Sequence, residues 1–210
     1  MRYLFIDASN NDTYAQIGDN ERWQGKFFDT NRNLGALITD IFAEMLQLGN
    51  ISKNDIDIFV CATGPGSLTG LRVAAAFMRT CAYVTRKPVI GIDLFTWAHK
   101  TLLNQRVYGD IRLVIPTLID KAFEVKTDMN PSFVPAPKLI ERKFATDCPV
   151  YGIRYESESV TRLEPDGEAL HQLIIERGAN AGTEFKDILD TLPLYIIKSQ
   201  AERKLEEKSC

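Results

Sequence analysis

The order of elements legible in the first hundred residues constrains this chain more than any other feature. Tyr3–Ile6 is an uninterrupted apolar run of the kind a buried strand needs. Thr13–Ile17 and Trp23–Phe28 carry the next two strands. Ser9-Asn10-Asn11-Asp12 and Gly18-Asp19-Asn20 separate the three with hairpin-turn chemistry. A helix is predicted over Leu34–Leu48, stopped by Gly49-Asn50. Strand Ile56–Cys61, loop Gly64–Gly70, helix Leu71–Val84, strand Pro88–Ile92 and helix Leu94–Leu103 follow. Three hairpin-connected strands and then alternating elements demand a mixed sheet with helices on its faces.

That order describes a ribonuclease H-like unit, and the second half echoes its start. Leu113–Ile119 reads as a strand and Phe123–Thr127 as its neighbour, placing Leu118-Ile119-Asp120 where Phe5-Ile6-Asp7 stands in the first half. Pro131, Pro135 and Pro137 then leave room only for short elements before a strand at Val150–Ile153. Pro165-Asp166 opens a helix through Arg177, and the tail Gln200–Lys208 is charged. The expectation is an α/β, actin-like (ASKHA) fold of two ribonuclease H-like halves with mixed sheets, the second degenerate. The boundary falls between 1–106 and 107–210.

The stretch Gly64-Pro65-Gly66-Ser67-Leu68-Thr69-Gly70-Leu71-Arg72 runs from a strand through glycines into a helix capped by Ser67 or Thr69. It is not a P-loop, because Leu71 stands where a lysine belongs. Its GxGxxxG spacing misses the dinucleotide fingerprint, and Ser67 lacks the flanking glycines of a nucleophile elbow. Two readings stay open from these residues: a tight turn that seats a helix, or an anion site on exposed helix-start amides.

GPGSLTGLR before an alanine-rich helix resembles the signature of the TsaB (YeaZ) family, usually GPGSFTGLR. The opening Ile-Asp-Ala-Ser, Lys87–Ile92 and the closing Pro193-Leu194-Tyr195 are similar to that family as well. The resemblance is strongest over residues 1–100. It implies a non-catalytic paralogue and partner of TsaD, supporting threonylcarbamoyl transfer to a tRNA adenosine, with the TsaE ATPase in a larger complex. It also implies that ATP and metal sit on the partner subunits, that this chain alone binds no cofactor, and that tRNA is engaged indirectly. The sequence departs from the family at Asn33-Leu34 (His-Ser in the family), at Leu68 (phenylalanine) and at Asp120-Lys121-Ala122-Phe123 (Asp-Ala-Arg-Arg).

Actin-like ATPases hold phosphates between two hairpin turns. Asp7-Ala8-Ser9-Asn10 keeps an aspartate and small neighbours, so Asp7 and Ser9 form a vestigial half-site at most. Phe123 in the second turn is expected to crowd a phosphate. The two histidines, His99 and His171, form no HxxxH or HExxH pair, and no metal or catalytic residue is assigned. The rival readings are an independent ATPase or small-molecule kinase and, last, a glycoprotease-type peptidase.

The first two helices point to a partner. Leu34, Leu37, Ile38, Ile41, Met45 and Leu48 form one stripe, and Phe42 and Leu46 widen it. Leu71–Val84 is apolar nearly all round, with Arg72, Arg79 and Thr80 its clearly polar residues. Together with the resemblance, which implies that the two paralogues meet through these helices, a heterodimer through Leu34, Leu37, Ile38, Ile41, Phe42, Met45, Leu71, Ala74, Ala75, Met78 and Arg79 is expected, and a homodimer when the partner is missing. Internal packing is the competing explanation for the same stripe.

Composition narrows the partners. A net charge of −3 does not suit a dedicated nucleic-acid binder, whose affinity rests on phosphate neutralisation. Asp7 arrives too soon for a signal peptide and no apolar run has bilayer length, so a cytoplasmic protein is expected. Cys61 and Cys81 lie in apolar runs, where a thiol behaves as a small hydrophobe.

Overall fold

The computed structural model describes residues 1–181 apart from 32, 118, 119, 143, 145 and 146. The closing Pro193-Leu194-Tyr195 and the charged tail therefore lie outside the described residues. The first half contains β1 (Tyr3–Asp7), β2 (Asp12–Gly18), β3 (Trp23–Asp29), α1 (Leu34–Leu48), β4 (Ile58–Gly64), α2 (Leu68–Thr85), β5 (Val89–Asp93) and α3 (Leu94–Asn104). The second contains β6 (Ile111–Pro116), β7 (Lys121–Thr127), β8 (Lys138–Glu141), β9 (Val150–Ile153), β10 (Thr161–Leu163) and α4 (Gly167–Gly178).

The sheets run β3-β2-β1-β4-β5 and β10-β9-β6-β7-β8. In each, three antiparallel strands are extended by two parallel ones, so β6 to β10 repeat β1 to β5 in order and direction. This is the duplicated actin-like architecture. The second copy has no counterpart of α2: β9 reaches β10 through a bridged turn over 154–160, where the first half inserts that helix. The helix α4 follows β10 as α3 follows β5.

The central strands are continuously apolar because the first sheet is covered on both faces. Leu4, Ile6, Phe59 and Cys61 point into one core with Ile38, Ile41 and Met45 of α1 and Ala74, Ala75 and Met78 of α2. Tyr3, Phe5, Ile58 and Val60 point the other way, into a core that also holds Leu113, Ile115, Phe123, Leu170 and Ile174 of the second half. The larger core thus does not divide at residue 106. Its polar seam is a directed chain: Tyr14 Oη donates to Gln16 Oε1 (2.7 Å), and Gln16 Nε2 donates to Tyr3 Oη (2.7 Å) and to the Gly167 carbonyl (3.1 Å). Tyr3 Oη is also hydrogen-bonded to His171 Nδ1 on α4 (3.0 Å). Burial pushes the Tyr14 phenol up to about 12, so it remains a donor.

Candidate functional site

Asp7 ends β1 and is fully buried; its Oδ1 accepts the Ser9 amide at 2.9 Å. The Ser9 carbonyl in turn accepts the Ser67 amide at 2.7 Å, so the Gly64–Gly70 loop is stitched onto the turn after β1. Two glycines make that approach possible. A Cβ on Gly66 would stand 2.4 Å from the Ser9 oxygen, and one on Gly70 would stand 2.1 Å from the Ala8 oxygen. The Ser67 amide is thereby spent on backbone, as a tight turn seating a helix requires. Ser67 is the cap, its Oγ accepting the Gly70 amide at 3.3 Å, and α2 begins at Leu68, a turn earlier than predicted.

The residue that sequence reasoning missed is Arg154. It follows β9 in the left-handed region (φ 55°), with its amide donated to the Leu163 carbonyl at 2.9 Å. For a residue with a Cβ that conformation is costly, and here it turns the side chain into the cleft between the halves. Nη1 lies 2.8 Å from Asp7 Oδ2, an ion pair although the geometry is out of line for a hydrogen bond, and donates to Ser9 Oγ at 3.3 Å. The guanidinium lies over the Trp97 ring, 5.7 Å from its centroid, with Nε 3.8 Å from Glu164 Oε2. The pair is inside the protein, with side-chain exposures of 9% for Arg154 and 0% for Asp7. The cleft beside it encloses about 410 Å³ between Ser9, Asn10, Ser67, Thr117, Phe123 and Tyr155, among others. No periodicity or motif marks Arg154 in Tyr151-Gly152-Ile153-Arg154-Tyr155; only the fold brings it to Asp7.

The second turn is built differently from the first: Asp7 is the last residue of β1, whereas β6 ends at Pro116, paired with Ala122 of β7. Asp120 lies four residues farther on, in an exposed turn closed by the Thr117 amide on the Lys121 carbonyl at 3.0 Å. Phe123 is in β7 opposite Ile115 rather than in the turn, although its ring does line the cleft.

The predicted partner face also needs correction. Leu34, Ile38, Ile41, Met45, Leu71, Ala74, Ala75 and Met78 are buried within the chain itself, because one stripe of each helix is consumed by the sheet. Leu37, Phe42 and Arg79 are only half-buried. The outward surface of the two helices is built instead from half-buried Leu37, Phe42, Leu46, Val73 and Phe77 and from exposed Ala36, Ala43 and Ala76. Phe42 and Phe77 meet edge to face, with centroids 5.3 Å apart. Among its ionisable residues α1 has Asp40 and Glu44 and no cation, whereas α2 has Arg72 and Arg79 and no anion.

Both histidines are core residues: His171 in the seam between the halves, His99 stacked on Phe133 with centroids 4.3 Å apart. Among the described residues no group of three or more His, Cys, Asp or Glu is placed to hold a metal ion, and no helix is long and apolar enough to cross a membrane. Cys61 is buried, which pushes its thiol up to about 12, and Cys61, Cys81 and Cys148 are free.

Residues 29–106, which contain α1, α2 and α3, match the TsaD family, tRNA N6-adenosine threonylcarbamoyltransferase. The protein of that name from Prosthecochloris aestuarii is 26% identical, over 44% of this chain and 31% of that one. A probable bifunctional tRNA threonylcarbamoyladenosine biosynthesis protein from Thermoplasma acidophilum is 37% identical over 27% of this chain and 11% of its own. YeaZ from Pseudomonas aeruginosa superposes with a TM-score of 0.72 at 14% identity, covering 92% of this chain and 99% of that one. The chain has the YeaZ (TsaB) fold, and the stretch that holds its first three helices is similar to the TsaD family. The YeaZ match extends over both halves, whereas the aligned part spans about a third or less of the curated relatives' length.

Proposed function

We propose that this chain is a TsaB-type, non-catalytic partner of a TsaD paralogue in the formation of threonylcarbamoyladenosine on tRNA. The observation that carries the reading is the outward face of α1 and α2. Half-buried aromatic and aliphatic side chains border it, three exposed alanines allow close approach, and the two helices carry opposite charge. A partner presenting the same kind of helix pair would set its basic helix against α1 and its acidic one against α2, forming a four-helix bundle. The match of residues 29–106 to the TsaD family supports such a partner, because that stretch contains both helices. Two copies of this chain satisfy the same complementarity by two-fold symmetry, which accounts for a homodimer in the partner's absence. About 1,600 Å² of total buried surface is typical of a stable pair. TsaE, ATP and tRNA then belong to the assembled complex.

The test is gel filtration of this chain mixed with purified TsaD from the same cell. Co-elution is expected, and Ala43→Arg or Ala76→Arg should abolish it while leaving the thermal melt within a degree or two, because both positions are exposed. Met78→Glu should instead unfold the chain, since Met78 is fully buried. Independent elution of the unmodified proteins would overturn the reading, and micromolar binding of Mg-ATP by the isolated chain would favour an ATPase or kinase.

A further inference from the structure

Actin-like folds imply a metal-bound nucleotide between the two hairpin turns, and the residues present here do not fit one. Asp7 Oδ2 faces a guanidinium at 2.8 Å, the Ser67 amide is held by the Ser9 carbonyl at 2.7 Å, and Asp120 of the second half is exposed beyond the end of β6. We propose that Arg154 is a built-in counter-cation for Asp7 that bars divalent cations, and the phosphates they carry, from the cleft.

Two observations and one chemical constraint support this assignment. A carboxylate with no exposure needs a compensating charge, and Asp7 has its Oδ1 on a backbone amide and its Oδ2 on Arg154. The cation is anchored rather than adventitious: it lies over Trp97, touches Ser9 Oγ and comes from a backbone position in a conformation that ordinary residues avoid. A hydrated magnesium or manganese ion seeks the same carboxylate oxygen, so the two cations compete for one place. Arg154 comes from the second half and Asp7 from the first, so the pair also ties the cleft walls together.

The inference goes beyond the partner reading and is tested separately, on the isolated chain rather than on a mixture. Manganese(II) is titrated and followed by electron paramagnetic resonance and by thermal melting. The wild-type chain is expected to leave the free-ion signal and the melting temperature unchanged at millimolar metal. Arg154→Met, which keeps an apolar stem against Trp97, should bind manganese at least about tenfold more tightly than wild type and be stabilised by it. Adding Asp7→Asn to that variant should remove both effects. Arg154→Gln serves if the methionine variant does not fold. Comparable binding by the wild type, or no gain in a folded Arg154 variant, would overturn the proposal. So would failure of both variants to fold, which would make the pair a requirement of the fold rather than a gate.

Discussion

At position 66 the chain has room for a hydrogen atom and nothing larger. Gly66→Ala would press a methyl group to 2.4 Å from the Ser9 oxygen, and the obstacle is backbone rather than a side-chain end that can swing away. Overpacking of this kind costs about 1–3 kcal/mol, which lowers the melting temperature of a chain this size by several degrees. A differential-scanning trace that matches wild type would show that the loop yields. The need for glycine there was legible, since GPGS between a strand and a helix announces a tight approach. What the glycine approaches was not, because Ser9 is more than fifty residues away in the chain. Arg154 shows the same limit more sharply: an arginine after a short strand looks like any solvated arginine until the second sheet is set against the first.

Helices were the most legible elements, and capping explains why. Both α3 and α4 begin after an aspartate whose carboxylate accepts the amide three residues on, Asp93 from Thr96 at 2.8 Å and Asp166 from Ala169 at 2.7 Å. Asp166→Ala should cost roughly 1 kcal/mol, with a range of about 0.5–2, through the loss of that cap. Chemical denaturation at constant pH measures it, and an unchanged midpoint with unchanged slope would contradict the assignment. Short strands were the least legible. β8 (Lys138–Glu141) is an exposed edge and β10 is a three-residue strand; neither alternates clearly enough to be seen alone. Their backbone partners, β7 and β9, determine them, so the information lies in the neighbour rather than in the segment. The apolar stripes of α1 and α2 were read correctly as stripes but assigned to the wrong cover, because period alone does not distinguish a sheet from another protein.

On the scale of the molecule, α4 is the clasp that makes two halves one body. Trp97 Nε1 donates to the Asp166 carbonyl at 2.7 Å, Trp23 Nε1 to Glu168 at 2.9 Å and Arg177 to the Gly91 carbonyl at 3.0 Å, so the helix is gripped by the first half along its length. A second contact across the halves is His99 of α3 stacked on Phe133. Burial holds the His99 imidazole below the usual histidine range, outweighing the upward pull of Asp128, while Lys100 adds to the lowering. The unfolded chain therefore takes up the proton first, near pH 6.5. Stability is full above that value and declines as pH falls through the window down to the folded-state pKa. Urea midpoints should fall between pH 7.5 and pH 5.5, and His99→Gln should flatten the decline. Equal slopes in the two proteins would remove His99 from the account.

The linear order of residues determined the duplicated α/β plan, the helix ends and the glycine loop. Each of these follows from interactions within a few residues, through periodicity, caps and backbone freedom. The tertiary structure decided which faces are inside, where the second turn falls and which cation meets Asp7. Those outcomes depend on contacts between segments distant in the chain, where one arginine is chemically like the next until packing has removed the water around it.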